Sequence, residues 1–193
     1  MTRILRSALL VAVVLAATPA RAQEPLVQPG PSDALSVGPL SLVLGSMGGS
    51  YEHLVSERVG LVLEGGYAFS REYSLAAGLR RHYSSAPDRE PGLCAPYWGP
   101  FVRFSRASVE MEDPDTEEQY ELDVRSLNIG LAWGKRRFLF GDSFTLAWRM
   151  GYGVPVYQEM RWADGKPDYS EVIEVLVTVF GGIDGELSVG VAF

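Results

Sequence analysis

The stretch Phe144-Thr-Leu-Ala-Trp-Arg-Met-Gly-Tyr-Gly-Val-Pro-Val156 alternates without a break. Phe144, Leu146, Trp148, Met150, Tyr152, Val154 and Val156 fall in one phase, and Thr145, Ala147, Arg149, Gly151 and Gly153 in the other. Successive side chains of a strand point to opposite faces, so this period of two reads as a β-strand with one bulky apolar face and one small face. The pattern recurs along the chain. Val59, Leu61, Leu63, Gly65, Tyr67 and Phe69 oppose Gly60, Val62, Glu64, Gly66 and Ala68; Leu127, Ile129, Leu131 and Trp133 oppose Ser126, Asn128, Gly130, Ala132 and Gly134. A soluble β-sandwich has long polar side chains on its outer faces. Faces of Gly, Ala and Ser with scattered charges suit instead the interior of a narrow barrel whose bulky side meets lipid.

Working outward, the alternation predicts strands over 38–53, 57–69, 72–83, 96–110, 119–137, 143–157, 171–180 and 185–193. The fold class is therefore all-β, an antiparallel up-and-down transmembrane barrel of about eight strands, since backbone groups in hydrocarbon must all be paired. One conflict accompanies this count. The tightest turns, Ser56-Glu57 and Gly141-Asp142, fall on the end opposite to the one where short turns belong if both termini are periplasmic. It disappears if 35–53 forms two short strands around Gly48-Gly49 and 170–180 is not a barrel strand. Val172, Val175, Leu176, Val179 and Phe180 have helical spacing, and Asp168 with Glu171 suits a capping box, whereas the β-branched residues of that segment favour a strand; both readings stay open. Aromatic residues near predicted strand ends (Tyr67, Phe69, Tyr73, Tyr83, Tyr97, Trp98, Phe138, Phe140, Phe144, Tyr157, Trp162) suit interfacial girdles.

Residues 1–22 read as a signal peptide: Arg3 and Arg6 precede an apolar run from Ala8 to Ala17, and Ala20-Arg21-Ala22 is an A-x-A cleavage site. The run is about half of the ~20 residues a spanning helix needs. Residues 23–36, with Pro25, Pro29, Gly30 and Pro31, read as a flexible lead-in, and 37–193 as the barrel. The formal charge of −7 over 193 residues argues against nucleic acid as partner, and loss of Arg3, Arg6 and Arg21 with the leader makes the balance more acidic. A single cysteine, Cys94, excludes an intramolecular disulfide and leaves a loop thiol.

Chemical motifs are few. His53 and His82 are the only histidines, and neither sits in a metal or nucleophile motif. His82 beside Ser84 and Ser85 has the elements of a general base and nucleophile, against the plain reading of chance adjacency in a Ser-rich loop. The run Glu110, Glu112, Asp113, Asp115, Glu117, Glu118 and Glu121 has carboxylates for a divalent cation but lacks EF-hand spacing, and reads first as a solvated loop. No cofactor, metal or catalytic residue is expected. Glu64, Arg80, Arg103 and Arg149 all fall in the small-residue phase, which places them in the lumen. Burying unpaired charge is costly, so Glu64 is expected to pair with Arg80 or Arg149 and plug the lumen, with Glu52, Asp123, water or a barrel mouth for the remaining positive charge. The contrasting reading puts these charges hydrated at the mouths.

The C-terminal Leu187-Ser-Val-Gly-Val-Ala-Phe193 resembles the terminal strand of Gram-negative outer-membrane proteins. The resemblance implies an assembly signal read by the barrel-assembly machinery, carried by Leu187, Val189, Val191 and Phe193. Tyr51-Glu-His-Leu-Val-Ser-Glu-Arg-Val-Gly-Leu61, Gly78-Leu-Arg-Arg-His-Tyr83 and Tyr97-Trp-Gly-Pro-Phe-Val-Arg103 are similar to small eight-stranded outer-membrane barrels of the OmpA/OmpX-like superfamily, close to an uncharacterised outer-membrane β-barrel domain family. This likeness implies a non-enzymatic, monomeric protein of the cell outer membrane with a side-chain-filled lumen, a structural or interaction role, and lipid and lipopolysaccharide as surroundings. Behind it stand a narrow pore or small-ligand carrier, a lipid-modifying barrel enzyme, and a soluble lipocalin-like binder, which would put large apolar residues inside.

Overall fold

The computed structural model describes residues 31–39, 46–68, 72–83, 92–112, 119–140, 143–163, 165, 167 and 169–193. The expected leader and the lead-in as far as residue 30 lie outside the described residues. Eight strands form one closed sheet: β1 (Asp33–Val37), β2 (Ser46–Ser56), β3 (Val59–Ala68), β4 (Glu72–His82), β5 (Pro96–Glu112), β6 (Gln119–Phe140), β7 (Phe144–Trp162) and β8 (Ile183–Ala192). Each pairs antiparallel with the next, and β8 returns to β1. A helix, α1 (Ser170–Phe180), stands between β7 and β8.

The alternating phases sort as the pattern dictates. Leu61, Leu63, Leu131, Trp148, Met150 and Val154 are exposed on the outer surface, while Val62, Ala132, Ala147, Arg149 and Ser188 are buried within. Three expected girdle residues face the other way, among them Trp162, which stands opposite the buried Leu122. Tyr97 is buried in the lumen, and Phe138 packs inward against Ala34, Leu93 and Ala192. Pro155 sits where the β6–β7 register shifts beside Asn128, a bulge that tolerates its missing N–H.

Two boundaries depart from the sequence expectation. The segment 38–53 is not one strand: β1 ends at Val37 and β2 begins at Ser46. Pro39, unable to donate to a ladder, follows immediately after Gly38. Gly48 and Gly49 lie inside β2 rather than in the turn, and the barrel opens at Asp33, within the stretch expected to be lead-in. Over 171–180 the structure is helical. Its N-cap is Tyr169 with no side-chain cap bond, and the Gly181 N–H closes the helix on the Val177 carbonyl; Asp168, expected in a capping box, lies outside the described residues. The strand count stays at eight because one strand is gained and one lost. The shortest turn, Glu57-Arg58, and the β6–β7 link now fall at the end that carries both termini.

Strands β5, β6 and β7 have 17, 22 and 19 residues, well past the ~9–11 that cross a bilayer. They rise as a ribbon above the end where α1 sits. At the opposite end Leu93, in the described part of the β4–β5 connection, packs with Ala34, Ala192, Leu54 and Phe138 as an apolar stopper. Truncating Leu93 leaves a cavity that these neighbours line, so Leu93→Ala is expected to cost about 2–5 kcal/mol, read as a lower urea midpoint for the refolded protein. An unchanged midpoint would show that the stopper contributes nothing to stability.

Candidate functional site: the charged lumen

The lumen draws charged side chains from every strand except β1. Glu52 on β2 is completely buried. Arg80 Nη1 of β4 donates to its Oε2 at 2.7 Å, Arg136 Nη1 of β6 lies 2.9 Å from the same oxygen, and His82 Nε2 is 2.8 Å from Oε1. The Tyr97 ring of β5 supports the group from the side, with the Arg80 guanidinium 4.5 Å from its centroid. A buried carboxylate is tolerable when it is paired and hydrogen-bonded, and Glu52 has hydrogen-bond contacts to Arg80 and His82 with Arg136 beside it as a further ion pair.

A second layer lies above it. Glu64 on β3 accepts from Arg80 Nη2 at 2.9 Å, is bonded by Arg149 of β7, and has Arg103 of β5 at 3.7 Å. Asp184 on β8 takes Arg103 at 2.7 Å and Arg149 at 3.0 Å, and Glu186 stands 3.5 Å from Arg149. Arg80 bridges the layers by holding Glu52 and Glu64 at once. The two layers together contain four carboxylates (Glu52, Glu64, Asp184, Glu186) and four guanidiniums (Arg80, Arg103, Arg136, Arg149), so their formal charges cancel with His82 neutral.

The structure thus brings Glu64, Arg80, Arg103 and Arg149 into one cluster. Asp123, expected from sequence as a possible counter-charge, is elsewhere: it pairs with Arg106 at 3.0 Å and Arg125 at 3.4 Å in the outward phase of the ribbon. Arg136, Asp184 and Glu186 join the cluster without having been expected there, although the phase that places them is present in the sequence. Arg136 continues Ala132 and Gly134, and Asp184 and Glu186 continue Ser188 and Gly190 back along β8.

Space in the lumen is unevenly divided. Between Glu64, Arg80, Tyr97, Phe101 and Arg149 only about 10 Å³ remains open. Above Glu64, Arg103 and Glu186 a vestibule of about 740 Å³ opens between Gly48, Gly66, Ser74 and Ala76. Its floor is the upper charge layer.

The other sequence candidates do not assemble into a site. His82 is buried against Glu52, with Nδ1 lacking a hydrogen-bond partner among the described residues, and Ser84 and Ser85 lie outside them. His53 faces the outer surface, with Nδ1 2.9 Å from Asp33. Of the acidic run, 113–118 lie outside the described residues, Glu121 accepts from Ser108, and no metal-holding group of carboxylates, His or Cys occurs among the described residues. Cys94, next to the stopper residue Leu93, is half-buried, and burial pushes its thiol up to about 11.

The barrel is similar to two solved structures. The N-terminal β-barrel domain of Pseudomonas aeruginosa OprF aligns at 13% identity and a TM-score of 0.42, over 86% of this chain and 100% of that one. Acinetobacter baumannii CarO aligns at 11% identity and a TM-score of 0.42, over 89% of this chain and 99% of that one. No family model matches the sequence, and no curated protein matches it.

Replacing Glu52 by Gln keeps its shape but leaves Arg136 without its carboxylate, so Glu52→Gln is expected to lose about 3–5 kcal/mol in a urea titration. A loss below about 1 kcal/mol would mean that the lower layer is hydrated like a surface pair. For Cys94, the folded protein favours the neutral thiol. Its stabilising contribution is therefore full below the ordinary thiol range, near pH 9, and is lost as pH rises toward 11. Alkylation by iodoacetamide at about pH 8 is expected to be slow in the folded barrel and fast in urea, because only thiolate reacts. Equal rates in the two states would contradict the burial.

Proposed function

We propose that this chain is an exported outer-membrane β-barrel, closed by its own side chains and without enzymatic activity, that serves a structural or interaction role. The observation that carries this is inversion. The outward phase is apolar (Leu61, Leu63, Leu131, Met150, Val154, Leu187), whereas the inward phase carries the four carboxylates and four guanidiniums. In water such a molecule would expose its greasy side and bury its charges. In a bilayer both choices are favourable. A lipocalin-like binder needs the opposite arrangement, large apolar residues lining the cavity.

The limits of the outer apolar surface support the same reading. On β5 the outward phase passes from Phe104 to Arg106, and on neighbouring β6 from Leu127 to Arg125, with Tyr73 in ring contact with Phe104 at 6.0 Å. Tyr67, Tyr73 and Tyr157 are exposed near this edge, where amphipathic rings meet headgroups. With the shortest turn, Glu57-Arg58, and both termini at the opposite end, that end is periplasmic. Export by the leader, with cleavage after Ala22, fits this placement. Leu187, Val189 and Val191 on β8, continued by Phe193 just past its end, form one exposed outward row available to the assembly machinery before closure, and Phe193 then exchanges both backbone bonds with Asp33. The mature barrel is a monomer among lipid and lipopolysaccharide. A narrow pore or small-ligand carrier is the second reading, favoured by the vestibule alone.

Planar-bilayer recording tests closure. The unaltered protein is expected to stay silent. Glu64→Ala leaves four guanidiniums facing three carboxylates and widens the tightest level, so it is expected to give a small conductance that prefers anions. Steady conductance from the unaltered protein would overturn the closed reading. In cells, the mature chain is expected in the outer-membrane fraction beginning at Gln23, and deletion of Phe193 should cut that amount several-fold. Recovery from the cytoplasm or free periplasm, or undiminished assembly after the deletion, would contradict export and the terminal signal respectively.

A further inference from the structure

The outward row of β6 reads Arg125, Leu127, Ile129, Leu131, Trp133, Lys135 and Arg137. Apolar side chains fill the stretch between two charged ends, and the run from Arg125 to Lys135 matches the ~9–11 residues with which a tilted strand crosses a bilayer. Arg125, opposite Glu159 of β7, marks the edge toward the ribbon. Lys135 and Arg137 therefore stand at the other membrane face, the end that carries both termini.

The register gathers further groups around them. Arg81 of β4 lies opposite Trp98 of β5, and Trp98 lies opposite Trp133 of β6. One outward position further down, Lys135 lies opposite Trp148 of β7. Trp98, Trp133 and Trp148 are 47%, 49% and 43% exposed on the outer wall, and Arg81 and Arg137 are exposed beside them. Neighbouring strands lie about 4.8 Å apart and alternate residues of one strand about 6.7 Å, so three long cationic side chains at these positions reach one headgroup.

What sets these cations apart is their lack of counter-charge. Arg80, Arg103, Arg136 and Arg149 pair with acids in the lumen, and Arg106, Arg125 and Arg161 pair with Asp123 or Glu159 on the ribbon. Among the described residues Arg81, Lys135 and Arg137 are in no ion pair, and the outward positions of β4 to β7 at this end hold no Asp or Glu. Glu57, in the neighbouring turn between β2 and β3, is exposed and pairs with none of them. Guanidinium groups match phosphate oxygens with parallel N–H donors, and indole rings settle at headgroup depth.

We infer that Arg81, Lys135 and Arg137 form a site for the phosphate of an anionic glycerophospholipid in the leaflet at the end that carries both termini, with Trp98, Trp133 and Trp148 against its glycerol and upper acyl chains. The inference rests on the reading of the outer wall as lipid-facing, and the test separates the two. The tryptophans themselves report their neighbour. The protein is refolded into phosphatidylcholine vesicles that contain a minor fraction of brominated phosphatidylglycerol or, in parallel, of brominated phosphatidylcholine. Folding is verified by heat-shifted gel mobility, and quenching of tryptophan fluorescence gives the relative affinity of the two lipids. At low salt phosphatidylglycerol is expected to be preferred at least about threefold, with the preference falling to parity in about 0.5 M salt, because exposed charges are screened. Arg81→Gln, Lys135→Gln and Arg137→Gln together are expected to abolish the preference and to leave quenching by brominated phosphatidylcholine as it was. Arg81→Lys with Arg137→Lys, which keeps the charges, is expected to retain most of it. Equal affinities at low salt in the unaltered protein, or a preference that survives the triple substitution, would overturn the site and leave the membrane barrel standing. Absence of quenching by either lipid in the folded protein would overturn the membrane reading itself. Loss of the preference when glycerol phosphate is added at constant ionic strength would overturn the lipid in favour of a soluble phosphate.

Discussion

An eight-stranded closed sheet has an interior that side chains nearly fill, and this narrowness governs what every inward position can hold. A Cβ at Gly60 would lie 2.5 Å from Glu52 Oε1, and one at Gly134 would lie 2.6 Å from the Tyr97 hydroxyl. The missing side chains at these positions are the space in which the ion pairs fit. With so little room for water, each charge must find its counter-charge among the strands. The formal balance across the two layers is what makes burial of so many ions tolerable. Arg80, shared by Glu52 and Glu64, ties the layers into one unit.

Much of this is legible in the sequence because a barrel encodes its two sides in a period of two. The phase of Glu64, Arg80, Arg103 and Arg149 follows from their neighbours Gly66, Gly78, Phe101 and Gly151. What escapes is whatever alternation does not encode. The break after Val37 depends on a single proline. The helical 170–180 is rich in β-branched residues, whose strand preference yields to tertiary context, here the contacts of Glu174 and Thr178 with β7. Tyr97 and Phe138 read as interfacial rings by composition, yet their phase puts them inside. Asp184 sits at the very start of β8, where a strand boundary drawn at 185 leaves it out, and Glu186 falls just inside that boundary, too close to the strand end to be read as part of the inward row.

The two ends of the lumen are built on different physics. The terminal end is shut by apolar contact among Leu93, Ala34 and Ala192, which is non-directional and indifferent to pH. The middle is shut by charge, which is directional and holds only while the partners stay ionised and matched. The far end is not shut at the charge layer, and the vestibule there admits water to the upper face of Glu64 and Arg103. The molecule is therefore a cup rather than a rod, with a polar hollow on one side and a sealed base on the other.

β1 is only five residues long, and its ladder with β8 runs from Ala34 opposite Ala192 to Val37 opposite Val189. This joint joins the chain's two ends, so it closes the largest loop in the molecule with the fewest rungs. Loop-closure entropy and contact order both make such a pairing late. The nascent sheet from β2 to β8 would therefore curl as an open trough, its two free edges unpaired until the last step. The same joint is the natural place for the wall to unzip, so the barrel's mechanical strength is set by its shortest strand and not by the long ribbon opposite.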